Sequence, residues 1–224
     1  VVFNMSKMLS EIASLVRINL NRVNDSTTVY TQLITDIKTV INSRYEQLWN
    51  KRLWPETMVF DQAMTLTANE KEFDLPSGVS LITRIRIGDS VLLPQDASKD
   101  TSYQYHYINL GREGIRLMDS FSSDQSALVD GKGKFSKLYD GSTPCIPVED
   151  VLVNIVTADF LKLDETDHAR AIDFVNEANA QYNQLVERYE SQMANQKRVI
   201  PAMPFTDLSE FQMNVSTNTS PVFW

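Results

Sequence analysis

The sequence predicts an α+β fold, mainly α: a helical bundle with a small antiparallel β module and an extended C-terminal arm. Three observations lead there. Apolar residues recur at helical spacing near both ends of the chain, alternate one by one in the middle, and thin out after residue 197. The 224 residues suit one domain with attached arms rather than two independent cores.

An N-terminal helical segment, 1–27, carries Met8, Ile12, Leu15 and Val16 at helical spacing between Ser6 and about Leu20. Asn21–Ser26 reads as a turn, and Ser26, Thr27 and Thr28 are candidate N-caps for the next helix. The main domain, 28–197, opens with a long helix whose face is Leu33, Ile37, Val40, Ile41, Tyr45 and Leu48. Trp49 and Trp54 read as core residues at its end, and Pro55 stops it.

The period then changes. Residues 57–118 form the β module. Met58–Phe60, Met64–Thr67 and Phe73–Leu75 read as extended, and Val79–Ile87 alternates apolar with polar residues. Gly88-Asp89 turns the chain into Val91–Leu93, a hairpin. Tyr103–Ile108 also alternates, and Gly111–Gly114 turns it back into Ile115–Met118. Residues 119–147 are rich in Ser, Gly, Asp and Lys and read as a long, poorly ordered loop.

Helical period returns over 148–197 as a hairpin. Its first helix carries Val148, Val151, Leu152, Ile155, Val156 and Leu163. Asp164–Asp167 breaks the stripe and caps the second helix, which carries Ile172, Val175, Ala178, Tyr182, Leu185, Tyr189 and Met193. The arm, 198–224, holds Pro201, Pro204 and Pro221. With no periodic apolar face it cannot build its own core.

Composition narrows the function. Lys plus Arg total 21 and Asp plus Glu total 29, a net charge of −8, which disfavours a tight grip on a phosphate backbone. No apolar run reaches the ~18 residues of a membrane span, so no membrane partner is expected. One cysteine, Cys145, permits neither an internal disulfide nor a four-cysteine zinc site. The opening residues lack a signal-peptide pattern, so the chain reads as made and used in a cytoplasm.

Candidate chemistry is sparse. Asp164-Glu165-Thr166-Asp167-His168 could suggest a hard-metal or His–carboxylate site, but nothing stands at a recognised ligand spacing, and helix capping accounts for these residues. His106, between Tyr105 and Tyr107, reads as a surface or interface residue. Cys145, between Pro144 and Ile146-Pro147, has no histidine base nearby and reads as a buried or semi-buried structural thiol. Gly131-Lys132-Gly133-Lys134-Phe135 fails the phosphate-loop pattern, because Leu128 and Phe135 stand where Gly and Ser or Thr are needed. Lys132, Lys134 and Lys137 therefore read as a solvated basic loop tip or a contact for an acidic partner. No catalytic residue, cofactor or metal site is expected. The C-terminal aromatic residues are different: such side chains make binding hot spots once a partner supplies pockets.

A resemblance joins these pieces. The helix end Leu48-Trp49-Asn50-Lys51-Arg52-Leu53-Trp54-Pro55 leads into Leu66-Thr67-Ala68-Asn69-Glu70-Lys71-Glu72-Phe73-Asp74-Leu75-Pro76 and then Ile82-Thr83-Arg84-Ile85-Arg86-Ile87. This order resembles the head-to-tail adaptor (head-completion) proteins of short-tailed bacteriophages, with Phe73 where tyrosine is common. Glu149–Val153 and Ala158–Leu161 continue the likeness, which spans roughly 28–197 in element order more than in identities. The resemblance implies a non-enzymatic virion protein assembled in the host cytoplasm. It implies a homo-oligomeric ring, twelvefold in that family, between the portal protein and a tail or nozzle protein, with a channel for DNA passage. The family attaches to the portal through its C-terminal region, here Arg198–Trp224. Phe205, Phe211, Phe223 and Trp224 are then the apolar anchors, with charge from Lys197 and Arg198. A tail-side ring or terminator is the nearest alternative, and a small hydrolase using Cys145 or His168 a more distant one.

Overall fold

The computed structural model describes residues 7–21, 27–94, 106–110, 114–163 and 167–195. The fold is α+β. In chain order it comprises α1 (Leu9–Asn19), α2 (Thr27–Lys51), a 3-10 turn (Pro55–Thr57), β1 (Met58–Leu66), β2 (Glu72–Phe73), β3 (Val79–Ile87), β4 (Ser90–Pro94), β5 (His106–Asn109), β6 (Ile115–Leu117), β7 (Gln125–Gly133), α3 (Glu149–Leu161) and α4 (His168–Asn195). The sheet runs β1-β7-β3-β4-β5-β6-β2.

Each helix forms where its apolar spacing allows one face to be covered. In α1 that face is Leu9, Ile12, Ala13 and Val16. The Glu11 carboxylate accepts the Met8 N–H at 2.8 Å, and Asn21, at φ 56°, ends the helix in the left-handed region. In α2 the buried residues Ile37, Ile41, Tyr45 and Leu48 follow the predicted stripe. Helix α3 is buried around most of its circumference, through Val151, Leu152, Val153, Val156, Thr157, Ala158 and Leu161. It touches α1, α2 and α4. Glu149 and Asp150 in its first turn complement the helix dipole. Arg44 of α2 grips Asp159 of α3 in a bidentate pair, at 2.6 and 2.7 Å.

Helix α4 buries Ala178, Leu185 and Tyr189 of its predicted face and packs Tyr182 against the core; the departure is Ile172, 56 % exposed, beside the buried Ala171. Small alanines allow α4 to lie close against its neighbour, and the larger Ile172 is left on the outside. Leu163, expected in the α3 stripe, lies beyond the helix end and is 82 % exposed.

The β3–β4 hairpin forms as expected, closing with Ile87 opposite Ser90, and Gly88 takes the positive φ of 55° that a two-residue hairpin demands. All strand pairs are antiparallel except β4–β5, which pairs in parallel at Leu93↔His106 and Pro94↔Tyr107. Met58–Phe60 and Met64–Leu66 belong to one strand, β1, with an irregularity between Val59 and Gln62.

The predicted loop 119–147 is the main correction. Its Gln125–Gly133 portion is β7, which pairs with both β1 and β3 at the centre of their sheet. The glycines that suggested a loop answer to close strand approach: a Cβ on Gly131 would lie 2.3 Å from the Leu81 carbonyl oxygen. Residues 134–148 have little regular structure yet are packed. Leu138, Ile146 and Val148 are buried in the helical core, and the Phe135 ring lies 5.6 Å from that of Tyr45 and 5.8 Å from that of Trp49. A second apolar cluster, including Met64, Leu66, Ile82, Ile85, Ala127 and Val129, belongs to the sheet.

Candidate functional site

The predicted portal-binding residues Lys197, Arg198, Phe205, Phe211, Phe223 and Trp224 lie outside the described residues. The described part of α4 packs against the rest of the fold at one junction. Near its C-terminal end α4 rests on the junction between α2 and β1, where the Tyr189 hydroxyl donates to the Glu56 carboxylate. Arg52 pairs with Glu190 at 3.4 Å, and the Tyr189 ring lies 5.6 Å from Trp54.

Trp54 and Lys132 organise the junction. Trp54 is fully buried, donates its indole N–H to the Leu48 carbonyl at 2.8 Å, and meets the rings of Tyr182 and Tyr189 edge to face. The Arg52 guanidinium lies 5.4 Å from the Trp54 ring centre. From β7, Lys132 reaches the carbonyls of Trp49 and, at 3.2 Å, Arg52. These carbonyls belong to the end of α2, where helical partners run out, so the ammonium supplies donors they lack. Lys132 is thus a buried tie between sheet and helices, not the predicted solvated loop tip. Its neighbours Lys134 and Lys137 are exposed.

Burial lowers the Lys132 ammonium to about 8. Between that value and the ordinary 10.5 the unfolded chain holds more protons than the folded one, so this residue makes stability rise with pH across that interval. The expected result is a widening stability advantage of the native chain over Lys132→Met from about pH 8 to 10.5, followed by urea unfolding. The difference between the two chains cancels the tyrosines, whose raised values act in the opposite direction.

A second buried charge, Asp130, lies on the same face of β7. Its carboxylate accepts the Asp61 N–H at 2.9 Å and Arg84 Nε at 2.7 Å, and Arg86 stands 3.5 Å away. Arg86 also pairs with Asp61. Burial pushes the Asp130 carboxyl up, but the Asp61 N–H, Arg84 and Arg86 outweigh it and hold it below the ordinary 3.8. The positive φ of Asp61, 54°, marks the bulge in β1 that this carboxylate secures. Sequence reasoning missed both Asp130 and Lys132. The available signal was the short apolar run Ala127-Leu128-Val129, obscured by Gly131 and Gly133.

The other candidates are dispersed. Cys145 is exposed rather than buried, although its backbone N–H donates to the Tyr45 hydroxyl at 3.0 Å and its Sγ lies 3.3 Å from that oxygen. Burial pushes the Tyr45 phenol far up, so it stays protonated and is no base for the thiol. His168 is exposed in the first turn of α4, and His106 lies in β5. Just before α4, Asp167 pairs with Arg170 at 3.1 Å, and Arg170 donates to the Asn19 carbonyl at 2.9 Å, tying α4 to the end of α1. Among the described residues no cluster of three or more metal-ligating side chains occurs, and no helix is long and apolar enough to cross a membrane.

An open groove of about 770 Å³ runs between α2 and residues 137–141. Its polar groups already satisfy one another: Lys38 holds Asp140 at 2.6 Å, and Asn42 both donates to and accepts from the Leu138 backbone, at 3.2 and 2.7 Å. Larger apolar exposure lies elsewhere. Phe60 is 60 % exposed on β1, and Val91, Met118 and Leu128 are exposed in the sheet region, with Ile18, Val29 and Ile172 on the helices. No protein-family model matches the chain, and no curated protein matches it.

Proposed function

We propose that this chain is a phage virion protein, an adaptor subunit that forms a ring between portal and tail at the head–tail neck. In this reading the helices act as a bundle, residues 198–224 form an extended arm, and Lys197, Arg198, Phe205, Phe211, Phe223 and Trp224 meet the portal. The observation that carries it is the order of elements. A long helix ends at Lys51, leads through Trp54-Pro55 into a mostly antiparallel sheet and returns to a pair of helices, the order in which the sequence resembles the adaptor family.

The physical logic is that of a closed ring. Identical subunits related by rotation need two different, complementary faces, and exposed apolar residues on both the sheet and the helices supply material for them. Individually weak arms suffice, because all the arms of one ring bind together. The net charge of −8 suits a channel through which DNA passes without being held, provided that charge lines the lumen.

The test is removal of residues 199–224 followed by measurement of binding to purified portal. Loss of at least about a hundredfold in apparent affinity is expected from the forfeited avidity. Unchanged binding would remove the arm from the portal contact, and binding to isolated tail proteins instead would favour a tail-side ring.

A further inference from the structure

The sheet has one long open edge. β1 stands at the end of the strand order, paired on one side with β7 and, among the described residues, with nothing on the other. Its first half is blunted by the bulge at Phe60 and Asp61. From Gln62 to Leu66 it is regular, opposite Val129 to Gln125 without interruption. A regular edge of this kind presents a row of unpaired N–H and C=O groups, a template for one more strand.

We propose that Phe211-Gln212-Met213-Asn214-Val215 of the same chain adds to this edge of β1 as a further strand. The side-chain pattern fits. In β1, Met64 and Leu66 are buried in the sheet core, while Ala63 and Thr65 face outward and are exposed. A strand laid beside them must alternate in the same way. Phe211, Met213 and Val215 continue the core face past Met64 and Leu66, and Gln212 and Asn214 fall beside Ala63 and Thr65. Five residues are too few to build a core, which is why this alternation specifies nothing until a sheet edge is supplied. The segment contains no proline; Pro201 and Pro204 both lie in the connection that precedes it.

The path fits as well. Tyr189, six residues before α4 ends, touches Glu56, two residues before β1 begins. The connection 196–210 has 15 residues, which as a flexible coil spans roughly 21 Å. From Met58, where β1 begins, to Gln62 the strand advances by about 13 Å. A tether this short holds the segment at millimolar effective concentration, which favours the chain's own edge over a neighbour's. This placement takes Phe211 out of the portal contact proposed above, which it leaves to Lys197, Arg198, Phe205, Phe223 and Trp224.

Hydrogen exchange on the free protein tests this without portal, so it can fail or succeed independently of the adaptor reading. Three chains are compared at high and low protein concentration: the full chain, a deletion of 211–224, and the full chain with Met213→Asp. The amides of residues 62–66 that point away from β7 should exchange at least about tenfold more slowly in the full chain than in either variant. The protection should be the same at both concentrations, α3 should exchange alike in all three chains, and a synthetic peptide of residues 209–217 should restore protection to the deletion. Equal exchange of 62–66 in all three chains would overturn the proposal. Protection that appears only at high concentration would also overturn it, assigning the edge to a neighbouring copy.

Discussion

Trp54→Ala is expected to destabilise the fold by about 4 kcal/mol, the middle of the range for emptying a buried tryptophan site. Three contributions combine. The indole is fully buried and its volume cannot be refilled from one side, because α2, the 3-10 turn and α4 all meet there. Two edge-to-face ring pairs are lost with it. The Leu48 carbonyl loses a donor near the end of α2, where helical partners are already short. For a chain of this size the loss corresponds to a melting point lower by roughly 8–16 °C. Trp54→Phe separates packing from the hydrogen bond: it retains most of the ring and gives up the N–H, and should cost only about 1–2 kcal/mol beyond the volume difference. Thermal and urea unfolding of the three chains read both effects. Equal stability of the native chain and Trp54→Ala would mean that α4 does not rest on this residue.

Asp130→Ala is expected to cost about 3 kcal/mol, the low end for breaking a buried ion pair, since Arg84 and Arg86 are partly exposed and can recover some hydration. Removing the carboxylate leaves the Asp61 N–H without its acceptor and sets two guanidinium groups side by side. The pH dependence has a definite sign. Because the folded carboxyl titrates below 3.8, its contribution is fully present above that value and is lost as the pH falls through the lower folded value. Native chain and Asp130→Ala should therefore converge in stability in strong acid and differ most near neutrality. Urea unfolding at a series of pH values measures this. A gap that stayed constant into acid would show that the carboxylate acts through its volume rather than its charge.

The residues that carry these two effects were unequally legible in the sequence. Trp54 was readable as core because it follows an uninterrupted helical stripe and precedes a proline, two local signals that agree. Helix α1, most of α2 and the β3–β4 hairpin were readable for the same reason: period, cap and turn chemistry lie within a few residues of one another. Strand β7 was not. It is held on both sides by β1 and β3, so its conformation is set by partners more than 40 residues away in sequence. Its glycines satisfy a close approach to Leu81 that no local pattern reveals. Asp130 and Lys132 were hidden with it, because a charged residue reads as solvated until its partners are seen. Ile172 was placed on the wrong side of α4 because large apolar residues draw the eye to one face while alanines permit closer packing on another. The predicted portal contacts lie outside the described residues.

The adaptor reading is tested most directly by the mass of the complex formed when the purified chain is mixed with purified portal. The expected result is a single species heavier than the portal by a whole ring of 25.5 kDa subunits, twelve if the chain follows the family it resembles. Portal of unchanged mass beside unbound 25.5 kDa chains would contradict it.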